Sequence, residues 1–249
     1  MNPYLRRLFF VIILLFATSP VGASILYVRN TATGANSGAN WTNAYTDLQD
    51  ALDAAVSGDE IWVAAGTYYP SSDYGLGGGS RYYHFRMKSS VSIFGGFTGN
   101  ESSFDERYID SNKTFLSGDI GTVGDTTDNC YHVFYHPDGS GSALLDGVII
   151  TGGNANGWGA NDNGGGIYNC SFNITVANCI FIQNCATNGG GIFNEECSPE
   201  IANCTFLQNS ATNNGGSMFN KNATPRITNC TFGFNSADYS GGGIFNSLS

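Results

Sequence analysis

Side chains able to act as acid, base or metal ligand are sparse in this sequence, and few share a useful spacing. Beyond residue 130 the cations are Lys221 and Arg226, both at the turn NKNATPR. Either could abstract a proton beside a carboxylate if another cation neutralised that carboxylate. The plainer reading is a solvated turn. Hydrolysis of a glycosidic bond would need two carboxylates a few ångströms apart. Glu195 and Glu196 are adjacent, so along a strand they would face opposite ways, and Asp146 and Glu200 stand in unrelated contexts. The acidic loop SGDIGTVGDTTDN carries Asp119, Asp125 and Asp128 among glycines. Hard oxygen ligands on such a turn can hold Ca²⁺, the one cofactor candidate here, although the spacing is not that of an EF-hand and most acidic loops are simply solvated. His84, His132 and His136 are scattered, the last two in the strand-like YHVFYHPDG rather than one turn apart on a helix. The seven cysteines include no CxxC pair, which argues against zinc. No residue is assigned a catalytic role.

The elements that would position these groups are strands. Among 249 residues only 12% are charged and 34 are glycine, against averages of about 25% charged and about 7% Gly. Amphipathic helices need more Lys, Glu and Arg on their wet faces, so the composition reads as all-β, with Asn, Ser, Thr and Gly at the surface. A net charge of −10 disfavours nucleic acid and anionic membranes as partners.

The N-terminus reads as an export signal. Arg6 and Arg7 precede the apolar run Leu8–Ala17, and Val21-Gly22-Ala23 offers a small-residue cleavage site, so residues 1–23 are expected to be removed. The run is too short to span a bilayer, which needs about 20 residues, so no stable membrane span is expected after cleavage. The mature chain would carry 8 basic against 20 acidic residues and act outside the cell or at the outer membrane surface.

Three segments of the second half repeat: VANCIFIQNCATNGGGIFN from Val176, IANCTFLQNSATNNGGSMFN from Ile201, and ITNCTFGFNSADYSGGGIFN from Ile227. A degenerate copy, LDGVIITGGNA from Leu145 and GGGIYN from Gly164, precedes them. Within a copy the apolar phase slips by one residue at Asn178, Asn203 and Asn229, where the degenerate copy has Gly147. A slip turns side chains to the other face unless the chain bends there, and Asn and Gly best tolerate the left-handed backbone of such a bend. The pattern predicts coils of three short strands, with these asparagines as a turn ladder and Asn222 outside it. Cys179, Cys204 and Cys230 then stack as a buried interior ladder rather than as disulfides. Disulfides involving Cys170, Cys185 or Cys197 stay open.

The paired motifs GG-small-aliphatic (Gly164–Ile167, Gly189–Ile192, Gly215–Met218, Gly241–Ile244) and F-x-x-N (Phe181–Asn184, Phe206–Asn209, Phe232–Asn235) resemble the polymorphic outer membrane protein repeat. The resemblance covers residues 145–249 and implies a single-stranded right-handed parallel β-helix of the pectin-lyase-like kind. That architecture carries enzymes, adhesins and secreted passenger domains alike. Thr46 and Gln49 have capping-box spacing ahead of an apolar stripe at Leu48, Leu52 and Ala55 or Val56, which predicts a helix capping the first coil. Residues 24–144 are thus expected to hold this cap and the first coils, and 145–249 the repeat coils of the same solenoid. Because GGGIFN falls three residues before the last, mid-coil, the sequence is expected to be a fragment of a longer solenoid. The function expected is non-catalytic binding or adhesion toward carbohydrate or a surface protein. The alternatives are a polysaccharide lyase or glycoside hydrolase using Arg226, Lys221 or the Asp119 loop, and a structural surface component.

Overall fold

The computed structural model describes residues 22–137 and 141–248, so most of the expected export signal lies outside the described residues. The chain is predominantly β, and every strand pairing is parallel. The strands fall into four sheets of seven, six, four and five strands. From Ser142 onward the chain visits them in a fixed order. One pass runs Asn173–Ala177, Ile180–Ile182, Cys185–Asn188 and Ile192–Glu195, and the next runs Glu200–Ala202, Thr205–Leu207, Ser210–Asn214 and Met218–Lys221. Each strand pairs with its counterpart one repeat on, as in Phe181 beside Phe206 and Ile192 beside Met218. These stacked parallel sheets are compatible with an all-β solenoid.

Each pass contains four strands, not three. The extra strand, CATN or SATNN, buries a single alanine (Ala186, Ala211) between polar neighbours, so it leaves no run of apolar alternation. The chain bends at four corners, and each bend uses a residue of positive φ. The first corner holds Gly147, Asn178, Asn203 and Asn229 at φ 73, 54, 55 and 51°, and the second holds Gly152, Gln183, Gln208 and Phe234 at 75, 56, 53 and 53°. Glycines 164, 189, 215 and 241 form the third, and Ser171, Glu196 and Asn222 the fourth. Asn222, read from sequence as outside any ladder, therefore sits in one, at φ 48°.

Hydrophobic side chains fill the space between the sheets. Phe181, Phe206 and Phe232 stack with centroids 4.7 and 5.0 Å apart and planes 7° from parallel. Cys179 and Cys204 are buried beside them, and each thiol donates to the carbonyl two residues earlier, at 3.1 and 3.3 Å. All seven cysteines are free. Outside this core, Tyr168, Phe193 and Phe219 form a second aromatic stack at 5.3 Å spacing.

Two ladders of buried asparagine run through the interior. Asn169, Asn194 and Asn220 each pass an amide N–H to the next oxygen at 2.8–3.2 Å, the last to the exposed Asn246. Asn184 and Asn209, both fully buried, do the same and also donate to the Ile150 and Phe181 carbonyls at 2.9 Å. Repetition makes such burial tolerable, because within each ladder one amide N–H satisfies the next amide oxygen.

The helix Leu48–Ala54 turns Leu48, Ala51 and Leu52 into the main core. Its N-cap is Asp47, whose carboxylate accepts from Gln49 N at 2.9 Å, and not Thr46. Gln49 does not close a capping box; its amide reaches Tyr74 Oη. Trp62, on the far side of Glu60–Ala64, is buried against Tyr27 and Phe97, so this strand is covered on both faces.

Candidate functional site

Between Thr114–Ser117 of the second sheet and Phe134–His136 of the fourth, the chain leaves the sheets and forms the acidic loop. Gly118 fixes both ends: its N–H donates to Thr151 O at 2.8 Å, and its carbonyl accepts from Cys130 N at 2.9 Å. A Cβ there would lie 2.6 Å from Cys130 Sγ, so glycine is required by close approach. Arg81 holds the loop from outside, donating to Asn129 O at 2.8 Å and Asn154 O at 2.9 Å while its guanidinium lies 4.1 Å from the Tyr131 ring centre.

The loop overhangs the second corner and encloses a groove of about 570 Å³. Ser117, Asp119, Gly124, Thr126 and Asn129 line one side, and Thr151, Gly152, Gln183, Cys185 and Gln208 the other. A neighbouring hollow of about 330 Å³ shares Asp119 and adds Tyr69, Ile120 and Val123. The groove thus offers hydroxyl and amide groups with one carboxylate and no cation among its described lining, beside a small apolar shelf. Such a surface can exchange hydrogen bonds with a polyhydroxylated ligand.

The three aspartates proposed for calcium do not gather. Asp119 accepts from Gly124 N at 3.0 Å, Asp125 from Thr127 N and Oγ1 at 2.9 and 2.7 Å, and Asp128 from Thr122 N at 2.8 Å. The Thr127 hydroxyl and N–H hold the Asp125 carboxyl below its usual range. Each thus braces its own turn, and among the described residues no three His, Cys, Asp or Glu side chains are arranged around a common metal position.

The two candidate bases face carboxylates one repeat away. Lys221 Nζ lies 2.6 Å from Glu195 and Arg226 2.7 Å from Glu200, in each case the residue paired with it across the strands. Glu195 raises the Lys221 pKa, the opposite of what a base requires. Asp146 anchors the outer asparagine ladder: it accepts from Asn178 at 3.0 Å and pairs with the buried Arg107. Asn203 then donates to Asn178, and Asn229 to Asn203, at 3.2 and 2.7 Å.

The three histidines are buried. Burial lowers the pKa of His84 and His132 to about 4 and of His136 to about 3, so all three are neutral at pH 7. His132 Nδ1 lies 2.9 Å from Gly164 O and its ring stacks on Tyr135 at 4.7 Å. Burial also raises the thiols of Cys130 and Cys197 to about 12, and that of Cys179 well above its ordinary value, which suppresses thiolate chemistry.

Sequence reasoning found the acidic loop but missed Gln183 and Gln208, whose signal was available: each stands two residues after the repeated Phe, in the slot held by Gly152 in the degenerate copy. No helix among the described residues is long and apolar enough to cross a membrane. Compared with family models, curated proteins and solved structures, the chain matches none.

Proposed function

We propose that this chain is an exported right-handed parallel β-helix of the pectin-lyase-like kind, closed at its start by the helix Leu48–Ala54. Its role is binding or adhesion toward a carbohydrate or partner protein rather than catalysis. The observation that carries the reading is the groove under the acidic loop, where hydroxyls and amides converge on one carboxylate, Asp119. General acid–base cleavage of a glycan would want a second carboxylate or a free base there. The cations that sequence offered for that task are engaged by Glu195 and Glu200. Stacked strands give the groove a rigid wall, so a ligand would be bound with little ordering cost on the protein side. The glycoside hydrolase alternative draws its support from the overhanging loop, which places Asp119 over an open cleft.

Affinity electrophoresis of the mature chain through gels containing neutral or acidic polysaccharides tests the binding reading. Retardation by at least one polysaccharide is expected. Free migration through all of them would remove carbohydrate as the ligand.

A further inference from the structure

We infer that the second corner, from Gly152 through Gln183 and Gln208 to Phe234, is a binding track for a neutral glycan chain. The inference rests on the binding reading above and specifies its ligand and its site. Phe234 is the starting observation. It adopts φ 53°, a conformation costly for a bulky side chain, and the residue is 87% exposed. Stability alone does not account for this backbone at a bulky residue, since the equivalent slot holds glycine at Gly152 and flexible amides at Gln183 and Gln208, both also exposed. The parallel register places these corner residues in axial succession: Gln183 N donates to Leu207 O, and Gln208 N to Gly233 O. Three steps of about 4.8 Å give a track of roughly 14 Å, the scale of a short oligosaccharide.

The chemistry along the track is graded. Asp119 and the two glutamines supply hydroxyl-binding acceptors and donors at the groove end. Phe234 supplies an aromatic face at the other, on which the apolar face of a sugar ring can stack. The carboxylate, the absence of Lys or Arg from the described groove lining, and a net charge of −10 all oppose an anionic polymer such as a polyuronide. A protein partner would place hydrophobic side chains against a wall of amides and leave those amides unpaired.

The test uses variants chosen to keep the fold. Phe234→Asn and the double change Gln183→Gly/Gln208→Gly both put residues tolerant of positive φ at their positions. Calorimetric titration with neutral oligosaccharides and with oligogalacturonate would compare them with wild type. A loss of tenfold or more in neutral-glycan affinity is expected for Phe234→Asn and for the double variant, with melting temperature unchanged or raised. Wild-type binding with unaffected variants overturns the track and leaves the binding reading standing. Tighter binding of oligogalacturonate overturns the ligand class. A wild-type chain that binds none of these sugars overturns the track and removes carbohydrate as the ligand of the binding reading.

Discussion

Replacing Asn209 by alanine should damage this protein far more than the same change at Asn203, although both stand in asparagine ladders. The Asn209 amide donates to Phe181 O at 2.9 Å and Asn235 Oδ1 at 3.0 Å, and accepts from Asn184 N at 3.2 Å and Asn184 Nδ2 at 3.1 Å. Truncation leaves Asn184 N, in a fully buried residue, without its acceptor. An orphaned buried donor costs about 1–3 kcal/mol, and each remaining bond about 0.5–1.5 kcal/mol. The sum centres on about 5 kcal/mol, or roughly 15 °C in melting temperature for a chain of this size. Asn203 is exposed, so water replaces its two ladder bonds, and the loss is mainly that of placing alanine at φ 55°, about 1 kcal/mol. Urea unfolding followed by circular dichroism would give both values. Equal destabilisation, or a loss at Asn209 under about 1 kcal/mol, would refute the claim that the inner ladder carries the stability.

Three further outcomes follow from the same geometry. His84, His132 and His136 are held below the unfolded-chain value of about 6.5, so the unfolded state takes up protons first; stability should be full above about pH 6.5 and fall as pH drops toward 4 and then 3. Unfolding curves across that range should show the loss, His132→Gln or His136→Gln should flatten it, and a flat wild-type profile would contradict it. Phe234→Asn should raise stability by about 1 kcal/mol in a thermal melt, because it relieves a left-handed bulky residue; a lower melting temperature would contradict this. Gly190→Ala would put a Cβ 2.3 Å from Ser210 O and 2.6 Å from Gly216 O, whereas Gly243→Ala meets nothing within 4 Å. The first should yield little soluble protein and the second near wild-type amounts; similar yields of both would speak against the close stacking of repeats.

The repeat was legible because its parts obey local rules. The phase slip at Asn178, Asn203 and Asn229 marks a bend, and the structure places positive φ at each. What sequence obscured follows from averaging over a single pass. A fully buried asparagine looks polar and therefore exposed, until identical residues one repeat away supply its partners. The strand CATN or SATNN buries one alanine, too little for periodicity to register. Of the candidate site, the acidic loop could be seen from its carboxylates. The groove beneath it could not, because it joins Ser117 and Asp119 to Gln183 and Gln208 from later repeats. The pairing of Asp146 with Arg107 was equally distant in sequence and left no local trace.

The most direct test of the account is turnover measured beside binding. The purified chain from Ser24 onward would be incubated, with and without Ca²⁺, with neutral glycans and polyuronides. Bound protein, new reducing ends and unsaturated products would be followed in the same samples. Retention on a neutral glycan with no product is the predicted result, and cleavage of any substrate would contradict it.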